Sequence, residues 1–212
     1  MGPVFARWPV SRICRRGVCV LAALGALTLG SAVDAAAEVQ GQEWIARSTT
    51  SAKGNGAAIV GGDRFRLVNN IIDRALVYGS RKHGINLVWG AISNPGSDAY
   101  FVTEGSGEEV VRYGDNVALA ITENPTRPAR PFLKYKSRDY GINLDWTTAK
   151  VYEWKVSGAG RAGKGSPVRY GDKFLLFNAR SSSKGGFLYY NERKYGINLS
   201  WRGTLGCPNG DC

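Results

Sequence analysis

His83 is the only histidine in 212 residues, so any imidazole chemistry in this chain must run through one ring. A zinc site built on several histidines is excluded, and a Ser-His-Asp or Cys-His machine would depend on His83 alone. No carboxylate stands near it at a motif spacing that would support a general base. His83 belongs instead to a set that recurs. Arg81, His83 and Asn86 reappear as Arg138, Tyr140 and Asn143, and again as Arg193, Tyr195 and Asn198. Each set brings a guanidinium, an aromatic ring and a carboxamide within six residues. A ring stacked on a sugar face, with a few planar donors and acceptors, is how neutral or anionic glycans are held. Three weak sites on one body also gain by multivalency on dense glycans. The competing reading is that each Asn bonds hairpin backbone and each Arg brackets it, since a scaffold requirement also recurs in every unit.

The remaining candidates point away from catalysis. Asp63, Asp115 and Asp172 each follow a glycine, where an aspartate commonly caps its own turn. They do not place a carboxylate pair for glycoside hydrolysis. Cys207 and Cys212 flank Pro208-Asn209-Gly210-Asp211 and suit a small disulfide loop outside the cytoplasm. A thiol pair holding a soft metal would lack further Cys or His ligands nearby. The glycine-rich stretch 158–165 lacks P-loop spacing and precedes no helical pattern. The expectation is a non-enzymatic protein without metal or cofactor.

The elements that position these residues are themselves repeated. Gly84-Ile85-Asn86-Leu87-Val88-Trp89, Gly141-Ile142-Asn143-Leu144-Asp145-Trp146 and Gly196-Ile197-Asn198-Leu199-Ser200-Trp201 lie 57 and 55 residues apart. A Gly-Asp motif followed by an apolar run precedes each copy, at 62–69, 114–120 and 171–178. A weaker aromatic run opens each unit: Trp44-Ile45-Ala46, Tyr100-Phe101-Val102 and Trp154-Lys155-Val156. Each unit thus offers four short runs of alternating character, rich in aromatic and branched residues, which read as strands. No window carries a sustained helical period. In the last two strands of a unit, Leu76, Tyr78, Ile85, Leu87 and Trp89 and their counterparts share one uniform apolar face. The opposite face holds Val77/Lys134/Tyr189 and Val88/Asp145/Ser200 and is assigned to solvent. All five tryptophans beyond the first 37 residues are expected in the core. The glycine before each Ile permits the positive φ of a tight hairpin.

Three units of four strands match the arithmetic of a β-trefoil: six barrel strands and three capping hairpins. The chain resembles β-trefoils of the lectin-type superfamily. Its Leu-x-Trp resembles the Gln-x-Trp of ricin-B-like repeats, with Leu in place of Gln, over about residues 42–203. The resemblance implies an all-β fold with repeats at about 42–89, 98–146 and 150–201 and a short C-terminal tail. A three-bladed β-prism and a pair of packed sandwiches are the alternative folds.

Residues 1–37 precede this domain, which spans 38–212. They carry Arg7, Arg12, Arg15 and Arg16, then an apolar run from Val18 to Val33, then a small-residue stretch with Ala35-Ala36-Ala37 in which cleavage could follow Ala35 or Ala37. That is the pattern of a secretory signal peptide, and the run is short of the roughly 20 residues a spanning helix needs. Secreted or periplasmic localisation follows, with no stable membrane insertion after cleavage. Removing the four arginines and Asp34 lowers 28 basic and 17 acidic residues to 24 and 16, a net charge of +8 rather than +11. The basic residues form no run of five, so a nucleic-acid partner is not expected. The expected activity is binding of a glycan or cell-surface carbohydrate, neutral or anionic. The alternative is a protein partner: a protease inhibitor acting through residues 122–131, whose prolines stiffen a loop carrying Arg127 and Arg130.

Overall fold

The computed structural model describes residues 42–50, 53–93, 97–122, 131–159, 163–184 and 186–203. The leader, Cys207, Cys212 and residues 123–130 of the candidate inhibitory loop lie outside these. The described chain is all-β. Its strands are β1 (Glu43–Ser48), β2 (Phe65–Asn69), β3 (Arg74–Tyr78), β4 (Leu87–Gly90), β5 (Ala99–Thr103), β6 (Asn116–Ile121), β7 (Phe132–Tyr135), β8 (Leu144–Thr147), β9 (Trp154–Gly158), β10 (Lys173–Asn178), β11 (Phe187–Tyr190) and β12 (Leu199–Arg202). A 3-10 helix, Ala179–Lys184, links β10 to β11.

Six strands close a ring. β1 pairs β2, β2 pairs β5, β5 pairs β6, β6 pairs β9, β9 pairs β10, and β10 returns to β1, all antiparallel. Closure leaves the barrel without an unpaired edge. From β2, β6 and β10 the chain runs on into three hairpins, β3–β4, β7–β8 and β11–β12. The barrel plus three hairpins repeats the same order of elements in each sequence unit.

One large core cluster fills the barrel and reaches into the hairpins. Leu67, Leu119 and Leu176 come from the barrel, and Leu76, Leu133 and Leu188 from the hairpins. Tyr78, Trp89, Trp146 and Trp201 pack on this cluster but remain partly exposed. The hairpins are tied to one another by a cycle of aromatic pairs. Tyr78 meets Trp146 at 6.0 Å, Tyr135 meets Trp201 at 6.1 Å, and Tyr190 meets Trp89 at 5.9 Å. Each such pair contributes about 0.5–1.5 kcal/mol beyond area burial.

Two expectations are revised. The opposite face of the first hairpin is not simply solvated: Val77 is buried with Val68 and Ala75 in a cluster of its own. Val68 of the barrel strand β2 covers that face, whereas the counterparts Lys134 and Tyr189 stay partly open. The second revision concerns unit two. The strand register aligns Ala99, not Tyr100 or Phe101, with Trp44 and Trp154. Two residues on, Phe101 replaces Ala46 and Val156, so the missing indole is offset by a ring at the neighbouring inward position. Where Trp is present, it also fastens units together. Trp44 Nε1 donates to the Leu188 carbonyl at 2.9 Å and Trp154 Nε1 to the Leu133 carbonyl at 2.8 Å.

Candidate functional site

The three hairpin tips converge. A Cβ placed on Gly141 would lie 3.9 Å from Cα of Gly84, and one on Gly196 would lie 3.7 Å from Cα of Gly141. All three glycines hold φ between 82° and 85°, left-handed backbone that other residues adopt only with strain. They turn each tip so that the preceding aromatic residue points outward. Tyr140 is 86% exposed and Tyr195 76% exposed, and His83 is exposed beside them. With Ile71, the two tyrosines are the large hydrophobic side chains left exposed among the described residues.

These rings border adjoining depressions of about 320 and 590 Å³ that share His83, Gly84, Asp139, Tyr140 and Tyr195. The first also takes in Arg193 and Lys194, and the second Arg138. The sequence pictured one shallow pocket per repeat; convergence of the tips instead gathers the three aromatic positions around a common surface. Lys194 Nζ sits 5.4 Å from the centre of the Tyr195 ring, a cation–π contact. Asp139 and Lys194 were not among the sequence candidates. Their signal was present, since a charged residue stands directly before each aromatic tip: Lys82, Asp139, Lys194.

The asparagines lie deeper and are engaged within their own hairpins. Asn86 Oδ1 accepts the backbone N–H of Arg81 at 3.1 Å, and its Nδ2 donates to Tyr78 Oη at 3.3 Å. Asn143 does the same with Arg138 N at 3.2 Å and Tyr135 Oη at 3.2 Å. Asn198 accepts from Arg193 N at 3.2 Å. Each carboxamide therefore closes the loop that carries the arginine and the aromatic residue.

The arginines differ in their partners. Arg138 donates from Nε to the Leu144 carbonyl at 2.6 Å and from Nη2 to Asp145 Oδ1 at 2.9 Å. Asp145 also takes Lys136 Nζ at 3.1 Å. Burial pushes the Asp145 carboxyl up, but the hydrogen bonds from Lys136 and the Trp146 backbone, with the charges of Arg138 and Lys136, hold it below the ordinary range. Arg193 donates from Nη1 to the Leu199 carbonyl at 3.1 Å and has Ser200 where hairpin two has Asp145. Beside it, a cleft of about 200 Å³ opens between hairpins two and three, lined by Gly141, Ile142, Asn143, Arg193, Ser200 and Trp201. The Nε1 atoms of Trp89, Trp146 and Trp201 are buried with no acceptor among the described residues.

The aspartates of the Gly-Asp motifs serve their own turns. Asp63, Asp115 and Asp172 accept the backbone N–H of Val60, Arg112 and Arg169 at 2.8, 2.7 and 3.1 Å. Asp172 also accepts Tyr113 Oη at 3.2 Å. Tyr170 is raised to about 12 by burial and by the charge and hydrogen bond of Asp63; Tyr113 is raised by burial and Asp172. Unit one has Gly61 in the equivalent tyrosine position, where a Cβ would fall 2.0 Å from the Gly107 carbonyl oxygen. Among the described residues, no three His, Cys, Asp or Glu side chains gather as metal ligands. No family model matches the chain, and no curated protein or solved structure is detectably similar to it.

Proposed function

We propose that this chain is an exported β-trefoil that binds carbohydrate, without catalysis, on the surface where its three hairpin tips meet. Three units of barrel strand pair and hairpin around one closed six-strand barrel support the trefoil assignment. The observation that carries the binding reading is the pair of open tyrosine rings, Tyr140 and Tyr195, beside a glycine-lined depression. Such rings offer flat apolar faces to sugar C–H groups, while Arg193, Lys194 and Asp139 supply hydrogen bonds at the rim. The basic leader-free chain favours anionic over neutral glycans at low salt. A binding role rather than turnover is supported by His83 sharing its slot with two tyrosines and by three aspartates engaged in their own turns.

A glycan array at low ionic strength, with the protein beside a Y140A/Y195A double variant, tests this. The expected result is a retained set of glycans that the double variant loses. Absence of any retained glycan overturns the carbohydrate reading.

A further inference from the structure

We propose that the cleft between hairpins two and three is a carboxylate-binding subsite, so that the ligand class of the tip surface is an acidic sugar. The proposal rests on the carbohydrate reading for the word sugar, and on the cleft alone for the word carboxylate.

The repeats supply an internal template. In hairpin two the guanidinium of Arg138 holds the Asp145 carboxylate at 2.9 Å. In hairpin three the guanidinium of Arg193 occupies the matching position, but residue 200 is Ser. Serine carries a hydroxyl where aspartate carries its carboxylate, and the cleft of about 200 Å³ lies beside that position, with Arg193, Ser200 and Trp201 on its walls. Hairpin one has Val88 there, whose side chain offers an anion no donor. The cleft therefore combines a guanidinium that gives one nitrogen to the Leu199 carbonyl with a serine hydroxyl, and Trp201 forms part of its wall. A guanidinium and a hydroxyl bordering one space suit a planar anion with two acceptor oxygens. None of the cleft's six residues is acidic; the nearest carboxylate in sequence is the exposed Glu192.

Arg193 connects this cleft to the tips, because it also borders the 320 Å³ depression that holds Tyr140 and Tyr195. A pyranose ring resting on the tyrosines would thus have its carboxylate within reach of Arg193. A uronic acid meets both demands.

The test follows the indole N–H of Trp201 by two-dimensional NMR of the full-length protein, its peak identified with W201F. Sodium acetate, glucuronate and glucose are titrated at constant ionic strength. The S200D variant places in hairpin three the acid that hairpin two already carries, so it keeps the fold while supplying an internal carboxylate. The expected result is a saturable Trp201 shift with acetate and with glucuronate, tighter for glucuronate. S200D should weaken both by about tenfold or more, a loss near 1.4 kcal/mol. An equal response to acetate and glucuronate, with none to glucose, keeps the carboxylate subsite and overturns the sugar. Binding of glucose as tight as glucuronate with Trp201 unmoved overturns the subsite and leaves the sugar reading standing. No Trp201 shift with either anion, or an undiminished one in S200D, also overturns the subsite.

Discussion

Replacing Asn86 by Ala separates a structural carboxamide from a ligand-binding one. Asn86 makes two hydrogen bonds inside its hairpin, to Arg81 N–H at 3.1 Å and Tyr78 Oη at 3.3 Å. A typical intramolecular bond adds a net of about 0.5–1.5 kcal/mol, so the pair at a half-buried site is expected to contribute about 1–2 kcal/mol. For a domain of this size each kcal/mol moves the melting temperature by about 2–4 °C, giving a fall of about 2–8 °C for N86A. Asn198 makes one such bond, to Arg193 N–H at 3.2 Å, so N198A should lose about half as much. Melting followed by circular dichroism measures both, and calorimetric titration of a retained glycan measures affinity. Binding should persist in N86A. A variant that melts like the parent yet no longer binds would show that Asn86 is a ligand group. Equal losses in N86A and N198A would refute the bond-by-bond argument.

Single variants Y140A and Y195A should leave melting unchanged, since both rings are mostly exposed, while each weakens glycan binding by about tenfold; calorimetry against thermal melts checks the split. Asp145 has a folded pKa below its unfolded value, so it contributes stability that is present above about pH 4 and is lost as pH falls through the folded value. The melting difference between the parent and D145N should therefore be largest at neutral pH and vanish near about pH 2. A difference that persists there contradicts the ion-paired assignment.

Much of this architecture is legible because the chain repeats. A residue required by the scaffold must recur, and Gly-Ile-Asn-Leu-x-Trp does so three times. Period-two alternation then assigns Leu76, Ile85 and Leu87 to the interior, where they are buried. The failures come from contacts between units. Unit two uses Phe101 against Ala99 where its neighbours use Trp against Ala or Val, and a local scan aligns rings with rings rather than volume with volume. Val77 is buried by the barrel strand beneath its hairpin, which hairpin alternation alone does not reveal. The site has the same history. Arg81, His83, Asn86 and their counterparts are visible as a motif, but convergence of the tips is a property of closure around the barrel. It gathers three aromatic positions on one surface and leaves each Asn inside its loop. Ser200 is informative only once Arg138 and Asp145 are seen to pair, because the cleft is defined by the difference between two hairpins.

The central claim is that ligand meets the chain at the joined hairpin tips. Backbone amide shifts during titration with an acidic oligosaccharide test it most directly. The account predicts that Gly84, Gly141 and Gly196 shift together with one affinity, while Gly62, Gly114 and Gly171 of the Gly-Asp turns stay fixed. Movement confined to the Gly-Asp turns, or three independent affinities at the three tips, would contradict it.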